Sequence, residues 1–250
     1  MLELNKIYNE DCLIGMQNIE DKSIDMILCD LPYGQTARNK WDTVIPFEKL
    51  WEQYNRIIKD NGAIILFANG MFTSDLMQSN RKNWKYNLVW DKVLPSGFLN
   101  AKRMPMRGHE DICVFYKKLP IYNPQMIEGN ACHTKGKAIG KSQEEFSRNT
   151  NYGELKAVET TGTLKYPKSI LTFQKPHPSK TIHPTQKPVE CLEWLIRTYT
   201  NEGETVLDNC MGGGSTAIAC ISTDRKYIGF ELEEEYFNLA NIRIENNKII

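Results

Sequence analysis

Short apolar runs, separated by segments with helical spacing, are the feature that most restricts how this 250-residue chain can fold. Several of these runs are apolar at nearly every position, which is typical of strands buried on both faces of a parallel sheet. The predicted strands are residues 7–8, 23–29, 62–68, 86–90, 112–116, 204–207 and 226–230. Alternation of strands with helices predicts an α/β fold with a doubly wound, mostly parallel sheet.

Apolar residues at helical spacing precede the third and the sixth of these runs. Between Phe47 and Ile58 they predict a helix, which we expect to stop at residues 60–62, where Asp, Asn and Gly follow one another. A second helix is predicted from Pro188, near its first turn, to Tyr199.

A chain of this length with 41% hydrophobic residues can bury one full core and carry a small insertion. We therefore expect one domain spanning residues 1–250. The alternating pattern breaks between about residues 118 and 182, where Asn, Gly, Thr, Lys and Pro are frequent. This stretch is predicted to be an insertion that touches the substrate.

Charge is unevenly distributed along a chain whose formal net charge is zero. Residues 81–190 contain 19 Lys and Arg against 9 Asp and Glu, and the flanking segments carry the compensating negative charge. A local basic surface can attract a polyanion even when the net charge is nil. An ordinary solvated surface is the alternative explanation.

Other classes of protein are disfavoured by what the sequence lacks. No apolar stretch approaches the roughly 18 residues that span a bilayer, and no targeting pattern opens the chain, so we expect a cytoplasmic protein without a membrane partner. The seven cysteines are scattered without any C-x-x-C motif, and the four histidines do not complete a metal site. We expect reduced thiols and no metal.

The segment Asp30-Leu31-Pro32-Tyr33-Gly34 directly follows the second apolar run. Such an order delivers a carboxylate and an aromatic ring from the end of a buried strand to a pocket. A strand-ending Asp followed by an ordinary Pro-Tyr turn is the structural alternative.

A glycine-rich turn follows the sixth run. Asp208 ends the predicted strand, three glycines follow at residues 212–214, and a helix can open at Ser215, which leaves backbone N–H groups free for a ligand. Glu231 ends the next strand, where a carboxylate can accept ribose hydroxyls. The same spacing satisfies the weak dinucleotide fingerprint, so a nicotinamide cofactor stays open, as does a glycine turn that only eases helix packing.

These two segments, together with His183-Pro184-Thr185-Gln186-Lys187-Pro188, resemble the beta group of circularly permuted DNA amino-methyltransferases. The likeness covers roughly residues 5–118 and 182–240. It implies a Rossmann-like methyltransferase sheet, with the catalytic strand first, an inserted target-recognition region at about residues 118–182, and the S-adenosylmethionine loop last.

The resemblance also implies how the first segment acts. The Asp30 carboxylate and the Leu31 carbonyl would accept the hydrogens of an exocyclic base amine, and Tyr33 would stack on a flipped base, with Pro32 completing the loop. The family's usual loop has two prolines, and here the first is Leu31, so the restraint on φ is lost at that position.

By the same resemblance, S-adenosylmethionine is the cofactor. Lys187 would contact its carboxylate and Asp11 its adenine, although Asp11 serves equally well as a helix N-cap. The residues implied in cofactor binding are Asp208, Met211, Gly212, Gly214, Thr216, Glu231, Thr185, Lys187 and Asp11.

Double-stranded DNA is the implied partner. The candidates for phosphate contacts are Arg103, Arg107, Lys117, Lys118, Lys135 and Lys137, each of which a solvated face explains equally well.

The segment His109-Glu110-Asp111 leads into a predicted strand, and we assign these residues a structural rather than a catalytic role. The family allows a homodimer and a separately acting cognate restriction endonuclease.

The resemblance implies a site-specific DNA methyltransferase acting on adenine N6. Methylation of cytosine N4 is the alternative within the class, since the family's cytosine enzymes more often carry Ser where Asp30 stands. A nicotinamide oxidoreductase, an RNA or protein-glutamine methyltransferase, and a noncatalytic DNA-binding module are more remote alternatives.

Overall fold

The computed structural model describes residues 2–35, 42–131, 162–177, 179 and 181–247. The chain divides into two compact units, of which the first comprises Met1–Asn123 with Ser169–Ile250 and the second Pro124–Lys168. No helix in the described ranges is long and apolar enough to cross a membrane.

An eight-stranded sheet organises the first unit. The strands among the described residues are β1 (Lys6–Tyr8), β2 (Ile24–Asp30), β3 (Ile58–Ala68), β4 (Trp84–Ser96), β5 (Arg107–Phe115), β6 (Ile127–Glu128), β7 (Leu164–Lys165), β8 (Ile170–Thr172), β9 (Thr205–Asp208) and β10 (Lys226–Phe230). The sheet has the order β1-β10-β9-β2-β3-β5-β4-β8, and only β5 runs antiparallel to its neighbours. The predicted mostly parallel sheet is confirmed.

Helices cover both faces of this sheet. They are α1 (Cys12–Gly15), α2 (Phe47–Ile57), α3 (Met71–Ser79), α4 (Val189–Tyr199), α5 (Ser215–Ser222) and α6 (Glu234–Asn247). Alternate residues of β2 face opposite sides, as the two-residue period of a strand requires. Met26 and Leu28 join one core with Leu195 of α4, whereas Ile27 and Cys29 join the other, together with α2. This arrangement confirms the doubly wound prediction.

The end of α2 differs from its prediction. The helix ends at Ile57, and β3 begins at Ile58, so residues 60–62 lie inside a strand rather than in a stop signal. The register between β2 and β3 shifts at this point, which accommodates the polar residues as an irregularity. A Cβ on Gly62 would lie 2.7 Å from the carbonyl oxygen of Asp25, so glycine is required by the close approach of the two strands.

The compact second unit is shorter than the insertion predicted at about residues 118–182. Residues 169–182 belong to the first unit, where β8 pairs in parallel with β4 and Leu171 is buried. The sequence did not reveal this strand because only three residues of it are paired. In the second unit, β6 and β7 form a two-stranded antiparallel ribbon.

One edge of the large sheet collects the chemically interesting residues. The parallel strands β2, β9 and β10 all end at this edge, since parallel strands point the same way. The reversed strand β5 begins there, and β4 ends there. Asp30, Asp208 and Glu231 are thereby brought to the same edge as Lys92 and Glu110.

Candidate active site

A pocket of about 680 Å³ opens at this edge and contains most of the site residues predicted from sequence. This volume is in the range of cavities that hold a drug-sized ligand. The predicted residues that line it are Asp11, Asp30, Leu31, Pro32, Tyr33, Arg107, Thr185, Lys187, Asp208, Met211, Gly212, Thr216 and Glu231. The two distant motifs therefore share one pocket.

The carboxylate of Asp30 is held by two donors. The Tyr33 hydroxyl donates to Oδ1 at 2.7 Å, and the Lys187 ammonium donates to Oδ2. Burial raises the pKa of Asp30 above its usual value, and the Lys187 charge opposes that rise. Asp30 thus has its charge stabilised by a neighbour from the His183–Pro188 segment.

The rest of the Asp30 loop is packed against the protein. Leu31 is buried in the core, and the Tyr33 ring lies 4.8 Å from the Phe72 ring, measured between centroids. Core packing of the leucine side chain restrains this position in place of the proline that the family usually carries.

Lys187 is enclosed by opposite charges and aromatic rings. Its Nζ lies 3.4 Å from Glu110 Oε2, in addition to its contact with Asp30. The rings of Phe67 and Trp90 lie 5.1 and 6.0 Å from the same nitrogen, within the range of cation–π attraction. Burial lowers the pKa of Lys187, but the two carboxylates together raise it by more than burial lowers it. The net shift of the pKa is therefore upward, and the ammonium is charged.

Glu110 is a site residue that sequence reasoning missed. Its Oε1 pairs with Lys92 at 3.2 Å, and Lys92 is almost fully buried. Burial raises the pKa of Glu110, but Lys187 and Lys92 lower it more, so the carboxylate is ionised. The missing signal was strand direction, because only an antiparallel β5 brings its first residues to the edge where β2 ends.

The glycine turn is fixed by Asp208. Its Oδ2 accepts from the Thr216 hydroxyl at 2.5 Å, and its Oδ1 accepts from the backbone N–H of Cys210 at 3.1 Å. Gly212 and Gly214 have φ values of +54° and +74°, which side-chain-bearing residues rarely adopt. Gly214 precedes α5 and packs beside Ala240 rather than lining the pocket.

Glu231 closes the other side of this turn. Its Oε2 accepts from the N–H of Gly212 at 2.6 Å, and its Oε1 accepts from the N–H of Glu233 at 3.0 Å. Burial raises the pKa of this carboxyl above its usual value. Met211 is tied to the end of β10, since its N–H donates to the Phe230 carbonyl at 2.8 Å.

Two further predicted residues make local contacts. Asp11 is the N-cap of α1 and accepts from the Leu13 N–H at 2.7 Å, which confirms the capping alternative. Thr185 contacts His183 Nδ1 through its hydroxyl at 3.1 Å, and the His183 ring meets Tyr236 edge-on. Both Asp11 and Thr185 line the pocket.

The basic residues predicted to contact phosphate are dispersed. Arg107 lines the pocket, whereas Lys117 and Lys118 pair with Asp60 beyond the other end of β5, at 3.6 and 2.9 Å. Lys117 follows the far end of β5, and six residues separate it from Glu110, a distance of roughly 20 Å along the nearly extended chain. The structure does not bring these two lysines to the pocket, and Lys135 and Lys137 lie outside the described residues.

The pocket fits S-adenosylmethionine at its β9–β10 end. There, a glycine turn with positive φ leaves room for close approach of a ligand to the backbone, and a buried carboxylate stands at the end of the next strand. Glu231, Asp208 and the turn would hold the adenosine, with Thr185 toward the methionine end.

Comparison with known proteins identifies the family of this chain. A family model described as DNA methylase, of the N6/N4 methyltransferases, matches residues 24–242. The type II methyltransferase M1.MboII of Moraxella bovis is 28% identical over the full length of both chains. The type II methyltransferase M.BglII of Bacillus subtilis is also 28% identical, over 95% of this chain and 68% of that protein.

Solved structures share the fold. A complex of M1.HpyAVI with SAM superposes with a TM-score of 0.64 at 24% identity, covering 96% of this chain and 98% of the other. The PvuII cytosine-N4-specific DNA methyltransferase gives a TM-score of 0.67 at 13% identity, covering 98% and 90%. The chain therefore belongs to the N6/N4 DNA methylase family, as an S-adenosylmethionine-dependent DNA methyltransferase.

Proposed function

We propose that this protein methylates N6 of an adenine flipped out of double-stranded DNA. The observation that carries the proposal is the position of the Asp30 carboxylate, which lines the same pocket as the glycine turn and pairs with the Lys187 ammonium. Among the family's enzymes, Asp at this position is associated with adenine more often than with cytosine.

The chemistry requires a base amine to become a better nucleophile. Its lone pair is delocalised into the ring, and hydrogen-bond acceptors for its two hydrogens pull the nitrogen toward tetrahedral geometry. Asp30 supplies one acceptor and the Leu31 carbonyl the other, in a preorganised arrangement. Tyr33 orients Asp30 through its hydroxyl and offers its ring to the base. S-adenosylmethionine supplies the electrophilic methyl group.

The hairpin between β4 and β5 is the proposed contact with the duplex. Ser96 and Arg107 line the pocket, so the loop that joins them stands beside the pocket mouth. At its tip, the exposed fractions of Phe98 and Leu99 are 80% and 96%, and Arg103 lies nearby in sequence. Apolar tips flanked by cations suit a wedge that enters the base stack while cations meet phosphates.

Residues 118–182, and within them the compact unit Pro124–Lys168, would supply target recognition. The type II methyltransferases among the relatives suggest a restriction-modification context, with a separately acting endonuclease and a homodimer as partners.

Transfer of a labelled methyl group from S-adenosylmethionine to mixed unmethylated DNA tests the proposal, with mass spectrometry of the digested nucleosides. N6-methyladenine is the expected product. Asp30→Ala should bind the cofactor by calorimetry and transfer nothing. Transfer by this variant would remove the amine acceptor from the mechanism.

Cytosine N4 is the second candidate, favoured by the fold shared with the PvuII enzyme. Cytosine presents an exocyclic amine with the same two hydrogens, so the same acceptors would serve it. N4-methylcytosine in the digest would keep the chemistry and change the target base. Absence of label from all DNA, with cofactor bound, would reject both.

A further inference from the structure

The ammonium of Lys187 lies between two carboxylates, Asp30 and Glu110, and its contact with Asp30 is the closer one. It donates to Asp30 Oδ2, whereas Glu110 Oε2 lies 3.4 Å away and is too far for a good hydrogen bond. Among the described residues, this Oε2 is a buried side-chain oxygen with no hydrogen-bond partner. Such an acceptor costs free energy unless it is used.

Glu110 is held so that the unused oxygen stays directed at Lys187. Its other oxygen pairs with Lys92 at 3.2 Å, and Lys92 Nζ also donates to the Ser96 hydroxyl at 3.2 Å. The nearly complete burial of Lys92 leaves this anchor little freedom. The protein therefore holds a second acceptor for the Lys187 ammonium in position before any base enters the pocket.

Asp30 differs from Glu110, because each of its carboxylate oxygens already accepts a hydrogen bond, one from Tyr33 and one from Lys187. Each carboxylate oxygen can accept more than one hydrogen bond, but the Lys187 ammonium draws negative charge from the oxygen that a base amine would use and so weakens it as an acceptor. Asp30 becomes a stronger acceptor for the amine when the ammonium moves away.

We propose that Glu110 is a positioning residue that receives the Lys187 ammonium when the base amine arrives. Lys187 Nζ moves from Asp30 Oδ2 to Glu110 Oε2, and an N–H of the amine takes its place on Asp30. A shift of about half an ångström converts the 3.4 Å contact into an ordinary hydrogen bond. The inference rests on the proposed amine substrate and holds for adenine or cytosine.

The first test replaces Glu110 by Gln, which keeps the shape and removes the charge that attracts Lys187. The single-turnover rate of methyl transfer should fall about 100-fold, as when a reacting group is misplaced by about an ångström. Cofactor affinity by calorimetry should be unchanged. Lys59→Met is the matched control, since it breaks the 2.6 Å ion pair with Asp25 outside the pocket and should keep the wild-type rate.

The second test asks whether Glu110 acts through Lys187. In a Lys187→Met background, adding Glu110→Gln should cause no further loss of rate, because the group that Glu110 receives is gone. Equal losses in both backgrounds would overturn the inference. A wild-type rate for Glu110→Gln alone would do the same.

The pH profile gives a readout that structural damage alone would not move. Lys187, Glu110, Tyr33 and Asp208 all influence Asp30, which must be ionised to accept the amine. Glu110 raises and Lys187 lowers the pKa of Asp30. The acid limb of the rate should therefore move to lower pH in Glu110→Gln and to higher pH in Lys187→Met, and unmoved limbs would count against the exchange. Failure of the wild-type protein to methylate any DNA amine would instead reject the proposed function.

Discussion

The Glu231 carboxylate holds the glycine turn by accepting the backbone N–H of Gly212 at 2.6 Å. Its second oxygen accepts the N–H of Glu233, so both oxygens face donors. In Glu231→Gln, the side-chain NH₂ would confront one of these N–H groups. We expect cofactor affinity to fall about tenfold or more, the cost of about one lost charge-assisted hydrogen bond. Calorimetric titration with S-adenosylmethionine measures this, and Glu234→Gln on α6 is the control.

A side chain at Gly212 should disrupt the turn beside the pocket. A β-branched residue is strained at φ +54°, at a cost of order 1–3 kcal/mol. Gly212→Val should lose cofactor binding, whereas Gly203→Val, at φ +80° in a turn outside the pocket, should lose stability alone. Equal cofactor binding by both variants would show that Gly212 does not border the cofactor.

The buried Asp208 predicts a specific pH dependence of stability. Burial raises its pKa to about 6 in the folded protein, above its ordinary value. The folded state then binds a proton more tightly than the unfolded state, so this group stabilises the fold progressively as the pH falls from about 6 to about 4, by about 3 kcal/mol. Thermal unfolding should show that Asp208→Asn lacks this component, while Asp75→Asn, exposed on α3, keeps it.

Tyr33→Phe isolates the hydroxyl that orients Asp30. The ring packing on Phe72 is retained, and only the 2.7 Å hydrogen bond is lost. The turnover number should fall about tenfold to 100-fold, with cofactor affinity unchanged. Tyr86→Phe removes a hydrogen bond of the same length to Tyr199 outside the pocket, and its turnover should stay normal. Equal turnover in the two variants would separate Tyr33 from the chemistry.

The apolar tip of the β4–β5 hairpin should matter for opening the duplex. Once the methylated sequence has been mapped, 2-aminopurine at the target position reports unstacking as a rise in fluorescence on binding. Leu99→Ser should reduce that rise, while Leu119→Ser, also exposed but beyond the other end of β5, should not. A full fluorescence rise with Leu99→Ser would exclude the wedge.

Local sequence patterns predicted the elements that each segment could form by itself. The burial of strands such as β2 and β10 was predictable from their consecutive apolar residues. The positive φ angles of the glycine turn were predictable from its glycines. Both motif segments line one pocket, as expected for strands that end at the same edge.

Relations between distant segments were not predictable in the same way. The pairing of Lys187 with Asp30 joins residues 157 positions apart, and the resemblance had assigned that lysine to the cofactor. The place of Glu110 in the pocket follows from the direction of β5, which an apolar run does not reveal. The strand β8 consists of three residues, and these form a strand only by pairing with the edge of β4.

The position of β9 has a consequence for how the protein is made. Met26 of β2 pairs with Val206 of β9, so two central neighbours in the sheet are 180 residues apart in the chain. Contacts of such high sequence separation form slowly, because the intervening loop must close first. During synthesis, β2 and β3 emerge long before β9 exists. The edge of β2 that pairs with β9 must therefore wait unpaired on the ribosome, and the pocket is completed only after β9 and β10 have been translated.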